Sequence, residues 1–403
     1  MASIESKPTI AAEAAKIVLC SNTAWSIFNF REGLIRELIQ RGFEVITIAP
    51  WDDFSNRLAS LGCTVIDQPM DNKGTNPLRD FVLFYSFLRL YTNIKPVMAM
   101  HFTIKPVIYG GLAASVLRVP YLSVITGLGS VFTEENWITR AVEYLYRVSQ
   151  VMAVCVFFLN KDDRDVFLDR NLLSLRSKQK VLPGSGVNIK QFSTEVLPGE
   201  GVNTHYFSPF PLQLEISKEI KFLLSARMLW EKGVGIYVDA ARLVKRKYSN
   251  VRFQLLGPLG VLNRSAVDTA QMDAWVSEGI VEYMGNTSDV RPYIRDCDCV
   301  VLPSYYREGV PRSLLEAASM AKPIITTDSV GCRDVLDDGI SGYLCQPRNA
   351  ESLAAAMLRF VALTPEQMKA MGAAGRVKIE REFDERIVIK HYIDVLDQVV
   401  AEP

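Results

Sequence analysis

Residues 299–327 read CVVLPSYYREGVPRSLLEAASMAKPIITT. CVVLP is an apolar run of strand length, rich in β-branched residues, and PIITT is a second one. Pro311 suits the first turn of a helix, where its missing N–H would have no partner anyway, and Lys322-Pro323 ends that helix. Strand, helix, strand in this order is the unit of a parallel sheet covered by helices.

The same alternation extends in both directions. Upstream lie KFLLSA (221–226), VRFQLLG (251–257) and VEYMG (281–285), each followed by a helical run. Further back, KIVLC (16–20) precedes a helix over about 30–41, then EVITIAP (44–50), a helical stretch at 77–94, VMAMH (97–101), YLSVIT (121–126) and VMAVCVFFL (151–159). The pattern pauses over 183–215, which is rich in Pro, Gly, Ser and Asn, and then restarts. The length of 403 residues fits two domains of roughly 200 residues each better than one core. The expected fold is α/β, with two Rossmann-like doubly wound domains facing across a cleft. Residues 1–207 form the first domain with its linker and 208–380 the second, and a C-terminal helix at 381–403 is expected to pack back toward the first. Ligands of such sheets bind at the carboxyl ends of the strands, so the cleft is the expected site.

Composition narrows the function class. Hydrophobic residues make up 49% and charged residues 22%, an ordinary globular balance. Lys+Arg and Asp+Glu are both 45, so no global charge draws the chain to nucleic acid. None of the seven cysteines forms a C-x-x-C pair, and they read as small buried hydrophobes of a reducing compartment rather than as metal ligands. The N-terminal stretch lacks an apolar core of signal-peptide length, and no run approaches the roughly 20 apolar residues of a membrane span. These features predict a cytoplasmic protein, peripheral on a membrane at most.

The linker contains a duplication. VLPGSGVNIKQFS (181–193) returns as VLPGEGVNTHYFS (196–208), offset by 15 residues. Two copies are too few for a solenoid. One copy is expected to take the path between the domains and the other to loop out.

Two segments carry candidate chemistry. In REGVPRSLLE, Glu308 and Gly309 fall on the loop after a strand and Glu316 inside the helix. Free N–H groups of Gly309 and Val310 at the helix start make a cradle for phosphate or a sugar hydroxyl, although two surface glutamates would share the same spacing. In SARMLWEKG (225–233), Arg227 closes a strand and Lys232 opens the next helix. Two cations there can neutralise a diphosphate, and two solvated loop charges would look the same in isolation.

Taken in order, R-x4-K followed about 75 residues later by E-x7-E resembles the retaining glycosyltransferases of family 4. VEYMGNTSDV (281–290) and SVGCRDVLDDGISGYL (329–344) extend the resemblance over the second half. WSIFNFREGL (25–34), HFTIKPVIYG (101–110) and TGLGSVF (126–132) are similar to a bacterial subgroup of N-acetylgalactosaminyl- and hexosyltransferases. That subgroup adds a second hexose or N-acetylhexosamine to an undecaprenyl-diphosphate-linked sugar. The resemblance implies a GT-B fold, a UDP-sugar donor, retention of configuration and no metal or other cofactor. It implies that Arg227 and Lys232 hold the donor diphosphate, that Glu308 with Gly309 and Val310 binds the transferred sugar, and that Glu316 binds the ribose. Gly285 and Asn286 would sit by the base, and His101 would face the donor sugar across the cleft. Where many family members carry a Gly-Gly loop, this chain has Asn22-Thr23-Ala24-Trp25-Ser26.

A lipid-linked sugar acceptor implies approach to the inner membrane. Segments 76–95, with Arg79, Arg89 and Lys95, and 138–150, with Arg140 and Arg147, are candidates for that contact, although both could simply cover the sheet. A sugar-nucleotide isomerase on the same fold, or a non-catalytic sugar-nucleotide-binding protein, remains the alternative.

Overall fold

The computed structural model describes residues 14–71, 76–127, 137–173, 177–193 and 219–401. The first sheet contains β1 (Lys16–Cys20), β2 (Glu44–Ala49), β3 (Thr64–Asp67), β4 (Met98–Phe102), β5 (Tyr121–Ile125), β6 (Cys155–Phe158) and β7 (Lys178–Val181), in the order β3-β2-β1-β4-β5-β6-β7. The second contains β8 (Ile220–Ser225), β9 (Val251–Leu256), β10 (Glu282–Tyr283), β11 (Cys299–Leu302), β12 (Ile324–Thr327) and β13 (Gly342–Cys345), in the order β10-β9-β8-β11-β12-β13. Every pairing in both sheets is parallel.

Alternate residues of each central strand feed separate cores, as a pleat of period two requires. Ile17 and Leu19 of β1 join one apolar cluster while Val18 and Cys20 join the other. Strand order reverses between β1 and β4 in the first domain and between β8 and β11 in the second. At such a reversal the helices leave in opposite directions and open a crevice at the strand ends. Both crevices are therefore fixed by topology before any site residue is considered.

The last helix, Glu385–Ala401, follows the second domain in sequence but completes the core of the first. Its Val388, Tyr392, Ile393, Val395 and Leu396 are buried with Ile17, Leu19, Phe102 and Phe157. The Tyr392 ring lies 5.1 Å from Phe157, edge-on, and 6.2 Å from Phe102. Burying each such side chain contributes about 1.5–3 kcal/mol, so this helix ties the domains together.

The path between the domains is taken by the first copy of the duplication. Val187 donates its N–H to Phe383 O (2.9 Å) and accepts from Glu385 N (3.0 Å). Leu182, Val187 and Phe192 are buried. The Asn188 side chain accepts from the backbone of Lys190 and Gln191, and Arg376 donates to Phe192 O at 2.8 Å. Gly186, at φ +73°, has no room for a side chain, because a Cβ there would lie 2.6 Å from Glu385 Cα. The second copy (196–208) and the 207/208 domain boundary lie outside the described residues, as do residues 128–132 of the TGLGSVF motif.

Every residue with a role in the hinge recurs 15 positions on: Leu182, Gly186, Val187, Asn188 and Phe192 as Leu197, Gly201, Val202, Asn203 and Phe207. Deleting 181–195 joins Lys180 directly to the second copy and shortens a connection whose closure entropy changes by only about 0.6 kcal/mol per doubling. The expected product is a folded, active enzyme with a melting temperature at or above that of the full chain. An insoluble or inactive deletion variant would show that both copies are structurally required.

Candidate active site

Lys232 and Glu308 meet at the crevice of the second domain. Lys232 ends a short 3-10 turn, Trp230–Lys232, on the connection leaving β8, and Glu308 lies on the connection leaving β11. Their side chains form an ion pair, 16% and 13% exposed. Ser304 donates to the same Glu308 oxygen at 2.8 Å and, in its other contact, to Glu231 O at 3.1 Å. The approach of the two connections requires Gly233 at φ +79°, where a Cβ would sit 2.1 Å from Pro303 O.

The neighbouring strand ends are laced to this pair. Gly257 N donates to Gly285 O (2.8 Å) and Ala226 N to Leu256 O (3.0 Å), which aligns the loops after β8, β9 and β10. Gly285, at φ +74°, has nothing within 4 Å of the position a Cβ would take, and Asn286 beside it is exposed. Arg227 is exposed, and its guanidinium makes no ion pair or hydrogen bond among the described residues; its carbonyl accepts from Leu229 N at 2.8 Å. Its field reaches Tyr306, whose hydroxyl is raised above the usual phenol range by burial, with Glu231 and Glu308 adding to the rise and Arg227 opposing it.

Glu316 lies in the helix Arg312–Ser319, with Pro311 as its N-cap. Arg312 donates to Glu316 at 2.9 Å. Burial raises the Glu316 carboxyl above the usual range, and Arg312 opposes that shift. Arg312 also reaches the carbonyl of Asn29 in the first domain. Gly309 and Val310 donate their N–H groups to no acceptor among the described residues. Both line the seam between domains: a Cβ on Gly309 would lie 3.2 Å from Leu159, and a Cβ on Gly184 2.7 Å from Val310.

His101 stands apart from this group. It is fully buried and its Nε2 pairs with the Tyr91 hydroxyl at 2.8 Å. Its ring lies 6.1 Å from that of Tyr91 and 5.5 Å from that of Tyr121. The expectation that it faces the donor sugar is corrected: in β4 its side chain points sideways into the helix-covered face, with Val18 and Ala99, not off the strand end. Burial depresses its pKa to about 3. A base whose folded pKa lies below its unfolded value of about 6.5 stays neutral in the fold while the unfolded chain takes up a proton. Stability is therefore full above pH 6.5 and is lost as pH falls from there toward 3. At pH 5 the loss from this residue is about 2 kcal/mol. His101→Gln should flatten the difference between urea midpoints at pH 7 and pH 5, and an unchanged difference would show that His101 is not its source.

The residue at the first domain's crevice is Thr103 instead. It follows β4 with φ +67°, a left-handed conformation costly for a β-branched residue, and its Oγ1 accepts from Asn22 N at 3.1 Å. That bond bridges the ends of β1 and β4.

Comparison with known proteins decides the family. Residues 16–159 match the family model described as glycosyl transferase 4-like, and residues 219–362 match glycosyl transferases group 1. The chain belongs to the group 1, 4-like glycosyltransferases. The glycosyltransferase is 28% identical over 390 residues to the N,N'-diacetylbacillosaminyl-diphospho-undecaprenol α-1,3-N-acetylgalactosaminyltransferase of Campylobacter jejuni, covering 96% of this chain and 99% of that one. It is 26% identical over 191 residues to an amylovoran biosynthesis glycosyltransferase of Erwinia amylovora, 46% of each chain. In fold it is similar to a glycosyltransferase from Rickettsia africae (TM-score 0.76, 17% identity, 97% of this chain and 100% of that one). It is also similar to Anabaena HepE in complex with UDP (TM-score 0.74, 17% identity, 95% of this chain and 100% of that one).

Several contacts of this glycosyltransferase have no signal in the motifs. Asp163 is fully buried in the first domain and receives Arg307 of the second at 3.2 Å. Asn160 donates to Asp163 (2.9 Å) and to Glu308 O (3.3 Å). The end of β6 is thereby joined to the loop that carries Glu308. Arg307 directly precedes Glu308, which is the one hint the sequence offers; Asp163 is separated from it by 144 residues.

Proposed function

We propose that this glycosyltransferase moves a hexose or N-acetylhexosamine from a UDP-sugar to a sugar carried on undecaprenyl diphosphate, with retention of configuration and without a metal ion. The observation that carries the reading is the Lys232–Glu308 pair at the reversal point of the second sheet, with exposed Arg227 on the same connection as Lys232. Two cations at one strand end suit a diphosphate leaving group and take the part a divalent ion would play. Glu308 then accepts from hydroxyls of the transferred sugar, and Gly309 and Val310 N–H groups lie beside it. Glu316 accepts from the ribose, and Gly285 with Asn286 borders the base. The Campylobacter relative's name supports the lipid-linked acceptor.

In the proposed reaction the bond between the anomeric carbon and the diphosphate oxygen breaks. The acceptor hydroxyl bonds to that carbon on the same face and passes its proton to the departing phosphate oxygen. The protein's part is positioning and charge stabilisation. No helix among the described residues is long and apolar enough to cross a membrane, so the enzyme would meet its acceptor at the membrane surface.

A donor screen tests the reading: UDP-sugars are offered with undecaprenyl-diphosphate-linked sugars, products are read by mass spectrometry, and the anomeric configuration is read by NMR. Transfer with retention is expected, and it should survive excess EDTA. Loss of activity in chelator with rescue by Mn²⁺ or Mg²⁺ would overturn the cation-based leaving-group assignment. Hydrolysis or epimerisation of the donor alone would favour an isomerase.

A further inference from the structure

We propose that the outer face of the first domain binds the hydrocarbon chain of the acceptor lipid; the proposal rests on the lipid-linked acceptor inferred above. Helices Pro77–Ile94, Gly111–Leu117 and Trp137–Ser149 enclose a groove of about 350 Å³. Its apolar lining is Pro77, Phe81, Phe84, Leu112, Val116 and Leu145. Asp80 and Tyr109 complete it, and neither presents an open charge. Tyr109 donates to one Asp80 oxygen at 2.8 Å and the Lys105 ammonium contacts the other. A chain entering this groove meets carbon on most sides and one closed ion pair.

The groove starts at the edge where the acceptor must lie. The Pro77–Ile94 helix ends just before the amino end of β4, so its first turn, with Pro77 and Asp80, stands at the carboxyl edge of the sheet. Tyr109 belongs to the turn leaving β4 at that same edge. Val116 and Leu145 come late in their helices, which places the other end of the groove farther down the outside of the domain. Exposed apolar side chains crowd the same edge: Leu78, Phe81, Val82 and Tyr85 on the first helix and Trp137 at the start of another. Large apolar groups gathered this way in water mark an interaction surface. Arg140 is exposed on the first turn of its helix, and Arg79, exposed on the first turn of the other, pairs with Asp71 at 3.3 Å; the Arg140 charge suits a lipid carrying a diphosphate. The volume lies at the low end for small-molecule cavities, which fits a flexible chain segment better than a protein helix about 10 Å across.

Phe81 and Val116 are 66% and 64% exposed, so Phe81→Glu and Val116→Glu should fold normally. Both variants are assayed in a fixed detergent micelle with two acceptors. One is the sugar diphosphate on an undecaprenyl chain, and the other is the same sugar diphosphate capped by a methyl group. The expected result is a KM for the undecaprenyl acceptor raised about tenfold or more, the scale of a mismatch in an apolar pocket, with kcat and the KM of the methyl acceptor unchanged. Equal shifts for both acceptors, or none for either, would overturn the groove assignment. So would variants that lose only binding to empty anionic vesicles, which would make this face a membrane contact. Wild-type enzyme that transfers to neither acceptor would instead sink the acceptor reading beneath it.

Discussion

Lys232→Ala is expected to lower turnover about a hundredfold or more, equivalent to about 2.7 kcal/mol of transition-state stabilisation. Arg227→Ala should fall in the same range. Lys232 is held by Glu308, so the proposed donor diphosphate would take the ammonium from that carboxylate. Glu308 is not left without a partner by the exchange, because Ser304 still donates to it at 2.8 Å. The alanine variant should therefore keep its fold, with a small change in melting temperature, while losing activity. Lys232→Arg, which keeps the charge and changes its shape, should retain part of the rate. Glu308→Gln separates the two roles further. It frees Lys232 for phosphate, so UDP should bind as tightly as in wild type or more tightly, while turnover falls through lost contact with the sugar. Near-normal turnover in Lys232→Ala would refute the diphosphate assignment, and weaker UDP binding in Glu308→Gln would refute the proposed exchange.

The central strands were legible because they are buried on both faces. β4 and β5 are buried along their whole length and mostly apolar, and they carry few alternatives to a parallel strand. The edge strands β3 and β7, TVID and KQKV, were missed. Each has four residues, exposed at both ends, and nothing in such a segment distinguishes a strand from a polar loop. The run VMAVCVFFL misled in the other direction. Its strand is only Cys155–Phe158, and Val151 and Met152 before it are exposed in a turn. Hydrophobicity alone does not say which part of an apolar run is paired. The first helix begins at Ala24, capped by Thr23, rather than near residue 30, because the cap lies inside the segment that replaces the family's Gly-Gly loop.

The site divides along the same line. Residues on strand-end loops of one domain could be grouped from the sequence, because the alternation of strands and helices puts their loops on one edge. The pairing of Lys232 with Glu308 follows from β8 and β11 being neighbours, which sequence order hides. His101 was placed on the correct strand but with the wrong direction. A strand side chain near the carboxyl end can leave the edge or turn into a face, and here the Tyr91 hydroxyl and the space above Gly110 decide. A Cβ on Gly110 would lie 2.9 Å from the imidazole, so the histidine ring leaves room only for glycine there.

Gly331→Ala is expected to be the most damaging single methyl group in the second domain. Gly331 has φ +78°, and a Cβ there would lie 1.6 Å from Gly309 O and 2.7 Å from Glu308 O. Those carbonyls cannot withdraw freely, because Gly309 abuts Leu159 and the Thr126 carbonyl on the first domain and Glu308 O receives Asn160. The loop is clamped between Gly331 and the other domain, so the added methyl must shift either Gly331 or the two residues proposed to hold the sugar. Backbone conformation alone costs about 1–3 kcal/mol, and the clash adds to it. Gly279 isolates the first contribution. It has φ +73° with nothing within 4 Å of the position its Cβ would take, so Gly279→Ala should lose about 1 kcal/mol and keep full activity. Gly331→Ala should lose at least twice that in thermal unfolding and bind UDP-sugar at least about tenfold more weakly by calorimetry, the weight of one misplaced hydrogen-bonded contact. If the two variants behaved alike, the 308–310 loop would be free to move away, and the clamp across the domain seam would not hold it.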